Sequence, residues 1–160
     1  LRTNSSSLVN KAKALTYQMS VVKDALTAME AGGVTAMHDA TEGGVIGGLF
    51  EIAAASRVGM EIDERLFIYP DEVRAVCVTF GIDPAAAIAE GSLLITAGPQ
   101  ASAGIIARLK RKGILSSVIG KVLVSPRRRQ FKRLDGRTVP LAIPEQDPFW
   151  PAFFDGLGKA

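Results

Sequence analysis

The stretch Met37-His38-Asp39-Ala40-Thr41-Glu42-Gly43-Gly44-Val45 constrains this chain more than any other, because it turns a strand sharply into a helix. Before it, Gly33-Val34-Thr35-Ala36-Met37 is short and partly β-branched. After it, Ile46, Leu49, Phe50 and Ala53 recur at the spacing of one helical face. The motif therefore falls at a helix N-terminus, where unpaired backbone N–H groups and the positive end of the helix dipole collect. Adjacent glycines there let a ligand's oxygens approach the backbone, and a phosphorylated ligand suits the geometry. Asp39 and Glu42 narrow the chemistry, since two carboxylates repel a bare phosphate. They fit as helix caps, as acceptors for ligand hydroxyls or amines, or as outer ligands to Mg²⁺.

Around this turn the pattern alternates between helix and strand. Residues 7–30 carry Leu8, Ala12, Leu15, Met19, Val22, Leu26 and Met29, an apolar stripe that predicts one long core-packed helix, capped by Ser5-Ser6-Ser7 and ended by Gly32-Gly33. A helix from 44 to about 56 is followed by a short strand, Met60-Glu61-Ile62-Asp63. Pro70-Asp71 then opens a helix with Val73, Val76, Cys77 and Phe80 facing inward. Ser92 to Ala97 reads as a buried strand, 101–112 as a helix and 114–124 as a strand. Few of the strands are long, so the expected fold is α/β (α+β), a layered domain with a mixed β-sheet and packing helices. The segment 125–160 differs in character. Arg127, Arg128, Arg129, Lys132 and Arg133 flank a hairpin turn at Asp135-Gly136, and a proline- and aromatic-rich extended arm follows, packed on the rest of a single domain spanning 1–160.

Bulk composition removes several classes of function. With 160 residues, 48% of them hydrophobic and 22% charged, the chain is long enough for one substantial core and is neither disordered nor fibrous. No apolar run approaches a membrane span and the start lacks a signal-peptide core, so a cytoplasmic protein with no membrane partner is expected. The chain holds one cysteine and one histidine, so a Cys/His metal cage and an internal disulfide are both excluded. Cys77 lies on an apolar helical face and reads as a structural thiol. A net charge of +3 with no aromatic stacking pattern interleaved with the cations makes nucleic acid an unexpected partner, and a solvated or subunit-facing hairpin is the expectation. The leucine at position 1 suggests a piece of something longer.

The run Asp39-Ala40-Thr41-Glu42-Gly43-Gly44 resembles the Asp-x-Thr-x-Gly-Gly element of the AIR synthase-related superfamily's C-terminal domain, particularly its hydrogenase-maturation (HypE) branch. The likeness continues through Glu51-Ile52-Ala53, Ser56 to Ile62, Gly81-Ile82-Asp83-Pro84 and Glu90-Gly91-Ser92-Leu93-Leu94, covering roughly residues 8 to 124. The resemblance implies an ATP-dependent enzyme that phosphorylates an amide or carboxamide oxygen. In such an enzyme the nucleotide lies between two domains, and a separate N-terminal domain supplies most of the Mg²⁺ ligands and much of a homodimer interface. This chain would then be the C-terminal half, inactive by itself. Two departures bear on the reaction. Glu42 stands where that branch usually carries arginine, and the chain ends Gly156-Leu157-Gly158-Lys159-Ala160 with no terminal cysteine to be modified. A non-catalytic interaction or regulatory module that kept the fold is the alternative.

Each candidate has a plain reading beside the functional one. Asp39 is a helix cap or a ligand contact, and Thr41 is a capping hydroxyl or a phosphate donor. The resemblance is what tilts Asp39 toward a ligand, and the adjacent Gly43 and Gly44 tilt Thr41 toward a phosphate. His38 is a satisfied strand-end histidine or an acid/base group. Glu90 and Gly91 are a helix end with its glycine cap or, as the resemblance implies, residues beside the nucleotide cleft.

Overall fold

The computed structural model describes residues 5–157. In chain order these form α1 (Ser5–Ala14), a 3-10 turn (Leu15–Gln18), α2 (Val22–Ala31), β1 (Val34–Ala40), α3 (Gly44–Ala55), β2 (Gly59–Asp63), a 3-10 turn (Glu64–Leu66) and α4 (Asp71–Phe80). They continue with β3 (Ser92–Ala97), α5 (Pro99–Arg111), β4 (Gly120–Leu123), β5 (Arg129–Lys132), β6 (Thr138–Pro140) and α6 (Phe149–Leu157). The α/β expectation holds, with the strands divided between two sheets. β1 and β3 form an antiparallel pair, and a mixed four-stranded sheet runs β4-β2-β5-β6 with β2 parallel to β5. No helix among the described residues is long and apolar enough to cross a membrane.

Two apolar clusters hold the layers. The larger gathers Leu49, Ile52, Met60, Ile62, Leu94 and Phe131, joining α3 to both sheets. Phe131 and Met60 are each 1% exposed, so every apolar atom they carry is withdrawn from water. The smaller cluster packs Ala28 of α2 against Ile105 and Leu109 of α5, beneath Met37 and Ile95 of the β1–β3 pair. Helix α3 lies so close to that pair that a Cβ at Gly48 would fall 2.8 Å from Leu94 Cδ1.

Several expectations are corrected. The long helix over 7–30 is broken into α1, a 3-10 turn and α2, and its stripe is not core: Val22 is 62%, Leu26 60% and Met29 58% exposed. The buried face of α2 is instead Thr27 and Ala28, whose small side chains let α5 approach closely. Of the expected cap, Ser6 and Ser7 lie inside the first turn of α1, and any capping residue before it is outside the described residues, as are Gly158, Lys159 and Ala160. Phe80 is exposed rather than inward, while Val73, Val76 and Cys77 are half-buried. Burial, then the Asp83 carboxylate, pushes the Cys77 thiol up, which suits a structural thiol better than a nucleophile. The strand expected over 114–124 shortens to Gly120–Leu123, and the arm after the hairpin ends in helix α6 instead of remaining extended.

The hairpin itself forms as expected, closed by Arg133 N–H to Arg137 O (2.8 Å) and Gly136 N–H to Arg133 O (2.9 Å). Its cations divide: Arg129 and Arg133 turn inward, whereas Arg127 and Arg128 stay exposed as expected. Arg128 pairs with Glu61, and Arg133 with Glu64 and Asp83. Arg129 donates to Ala53 O (3.0 Å) and Val58 O (3.2 Å) at the C-terminal end of α3, where a cation complements the helix dipole. The same helix end carries the one non-glycine residue with positive φ among the described residues, Arg57 at 54°, with Arg57 N–H bonded to Ala54 O and Val58 N–H to Ala53 O. A glycine adopts that conformation without strain, so Arg57→Gly should raise stability by about 0.5–1 kcal/mol in urea titration. A loss of stability would show that the arginine side chain outweighs its backbone cost.

Candidate functional site

Strand β1 ends at Ala40, Thr41 to Gly43 make the turn, and α3 starts at Gly44. The Thr41 carbonyl accepts two hydrogen bonds, from Gly44 N–H (3.0 Å) and from Ala89 N–H (3.2 Å). That shared acceptor joins the glycine turn to the loop leading into β3. Antiparallel pairing of Asp39 with Leu93 and of Ala40 with Ser92 adds to the same end. Seven of the eight sequence candidates are therefore neighbours in one corner: Asp39, Thr41, Glu42, Gly43, Gly44, Glu90 and Gly91. Asp39, Thr41, Glu42 and Glu90 are exposed there, whereas Gly44 is buried.

His38 stands apart from that corner. It sits on the α3 side of β1, with Nε2 2.5 Å from Glu51 Oε2 and Nδ1 2.8 Å from Asp39 O. Both ring nitrogens are engaged, an arrangement that orients the ring as a tie between strand and helix.

Three amides at the start of α3 are already occupied. Gly43 N–H donates to Asp147 Oδ2 (2.9 Å), Gly44 N–H to Thr41 O, and Ile46 N–H to Ala85 O (3.0 Å). Asp147 is 7% exposed, and its other oxygen accepts Phe149 N–H (2.9 Å) at the start of α6. One carboxylate thus serves two helix N-termini, where both dipoles favour negative charge. Beside it, Trp150 Nε1–H donates to Glu42 Oε1 (2.6 Å), which gives the unexpected acid at position 42 a partner within the chain. Trp150 packs edge-on against Phe149 and stacks on Phe154, so α6 sets an aromatic cluster beside the turn. Among the described residues no group of three His, Cys, Asp or Glu is placed to hold a metal ion.

Asp147 and Trp150 are site residues that sequence reasoning missed. The signal was present: Asp147-Pro148 ahead of an apolar aromatic run is a capping residue followed by proline at a helix start, hidden by reading the prolines as an extended arm.

A family model described as AIR synthase related protein, C-terminal domain, matches residues 4–130. The chain is similar to the carbamoyl dehydratase HypE of Rhizobium leguminosarum bv. viciae, with 31% identity over 127 residues, 72% of this chain and 36% of the relative. Among solved structures, Escherichia coli HypE, a hydrogenase maturation protein, superposes with a TM-score of 0.68 at 31% identity, covering 80% of this chain and 41% of that one. HypE in complex with ATP superposes with a TM-score of 0.66 at 26% identity, covering 75% and 38%. The chain therefore spans only about two fifths of the length of these relatives.

Proposed function

The chain belongs to the AIR synthase-related family, matching its C-terminal domain, and on that premise we propose that the corner between β1 and β3 contacts the phosphates of ATP in a larger two-domain enzyme. The single observation that carries this reading is the Thr41 carbonyl, whose two bonds bring the Asp39-to-Gly44 turn against the loop bearing Glu90 and Gly91. The ATP complex of a HypE protein supports it at the level of the family. The α3 N-terminus also suits an anion, since a carboxylate occupies it here. In this reading the Thr41 hydroxyl and the Gly43 amide would hold phosphate oxygens, and Glu90 would accept a ligand hydroxyl or amine. Asp39 would act as an outer ligand to Mg²⁺ held mostly by an N-terminal domain. Bound ATP supplies the phosphoryl group that converts an amide or carboxamide oxygen into a leaving group. Such chemistry rests on positioning and charge neutralisation, so this half needs no nucleophile of its own.

A phosphate can reach the Gly43 amide only after the Asp147 carboxylate withdraws. Asp147→Asn removes the competing charge while keeping an acceptor oxygen, so it should tighten Mg·ATP binding by up to roughly tenfold, as a larger fraction of molecules becomes competent. Titration calorimetry of the full-length protein measures this, and unchanged or weaker affinity counts against competition at that amide. Complete absence of heat from the unmodified protein at millimolar nucleotide removes the catalytic reading. What then remains is a non-catalytic interaction module, a reading favoured by the engagement of Glu42 and Gly43 by α6.

A further inference from the structure

Away from the ligand corner lies a partly buried ionic cluster that the proposed function does not use. Glu64, 1% exposed, accepts Leu134 N–H at 3.1 Å and lies 3.2 Å from Arg133 Nε. The same guanidinium reaches across with Nη2 to Asp83 Oδ2 at 2.8 Å. Asp83 in turn caps its own turn, with Oδ1 accepting Ala85 N–H at 3.0 Å, and the Ala85 carbonyl accepts Ile46 N–H at 3.0 Å in the first turn of α3. A continuous path of charged and backbone hydrogen bonds thus runs from the β5–β6 hairpin to the glycine turn. Only a forked cation can hold two carboxylates in fixed directions, and a lysine offers no such fork.

Resting on the nucleotide reading above, we propose that Arg133 is a positioning residue: through Asp83 it fixes turn 83–87, and with it the N-terminal turn of α3, in the shape that the ligand corner requires. The simpler role, neutralising the buried Glu64, makes a different prediction. The double variant Arg133→Met/Glu64→Gln removes the cation and the buried charge together, so the cluster keeps its net single negative charge but loses the Asp83 tie.

In the full-length protein, amide exchange at Ile46, compared with Met60 in the core, should then speed up by about tenfold in the double variant. Its unfolding midpoint should stay near that of the unmodified protein. Asp83→Asn keeps an acceptor for Ala85 N–H but turns an amide toward Arg133, and should produce the same selective change at Ile46, so the conclusion does not depend on the double variant folding well. Mg·ATP affinity should fall by roughly fivefold in both variants. An Ile46-to-Met60 exchange ratio that stays at the unmodified value in both variants overturns the proposal and leaves Arg133 a charge partner alone. If the unmodified protein itself gives no heat with Mg·ATP, the nucleotide reading falls, while the exchange ratio still decides whether Arg133 fixes the turn.

Discussion

Replacing Gly44 with alanine is expected to remove about 3–5 kcal/mol of stability, enough to unfold a domain of ordinary stability. Gly44 has φ 64°, a left-handed conformation that costs a residue with a side chain about 1–2 kcal/mol. The larger part is steric. A Cβ there would lie 2.5 Å from Ala87 O, 2.7 Å from Ala85 O and 2.8 Å from Ala86 C, all main-chain atoms of the turn that Asp83 caps. A side chain could rotate away, but this backbone can yield only by breaking the Ile46–Ala85 hydrogen bond. Gly43→Ala is the control. Gly43 has φ 75°, yet its Cβ would meet nothing nearer than Gly47 Cα at 3.6 Å, so only the conformational cost of about 1–2 kcal/mol should appear. Urea denaturation of the two variants separates the contributions. Equal losses would mean that the close approach of turn 83–87 to α3 does not exist in solution.

Arg133→Met should cost about 3 kcal/mol near neutral pH, because it strands Glu64 as a buried carboxylate facing no cation. The loss should also depend on pH in a defined direction. Burial pushes the Glu64 carboxyl above the ordinary carboxylate range, against the opposing pull of Arg133 and Leu134 N–H. A group raised in the folded state contributes most below its unfolded pKa, and that contribution disappears as pH rises through the folded value. Without the guanidinium the folded value climbs further, so the window extends toward neutrality. The stability gap between variant and unmodified protein should therefore widen from about pH 5 to about pH 8, and it should lose that slope when Glu64→Gln is added. A gap of constant size across the range would show that Glu64 is solvated or already protonated. The neighbouring Tyr69 hydroxyl, itself buried, is likewise pushed up by burial and then by Glu64 and Asp83, and stays protonated throughout.

What could be read from the sequence is what local spacing determines. The glycine turn between β1 and α3, the helix opened by Pro70-Asp71, strand β3 and the Asp135-Gly136 hairpin each rest on turn chemistry or short-range periodicity, and each forms. The gathering of Thr41 with Glu90 was accessible only through the family likeness, because nothing local links positions 41 and 90. Two kinds of information were beyond pattern reading. Periodicity locates an apolar stripe but not what covers it, so Val22, Leu26 and Met29 were assigned to a core that Thr27 and Ala28 supply. A run of cations likewise carries no direction: Arg129 and Arg133 look like part of a solvated patch until the carboxylates and carbonyls that receive them are brought near by the fold. Glu42 follows the same logic, its partner Trp150 lying 108 positions away.

Helix α3 is clasped at one end by Asp147, 104 positions after its Gly43 partner, and at the other by Arg129, 76 positions after Ala53. On the ribosome, the segment from β1 to β2 would emerge long before either clasp is made. Until then the oily α3 can find only provisional contacts, a state exposed to misassociation and in need of chaperone shelter. Closure of so distant a loop should make maturation slow and largely post-translational. Nascent chains halted just after β4 should accordingly remain sensitive to protease throughout α3.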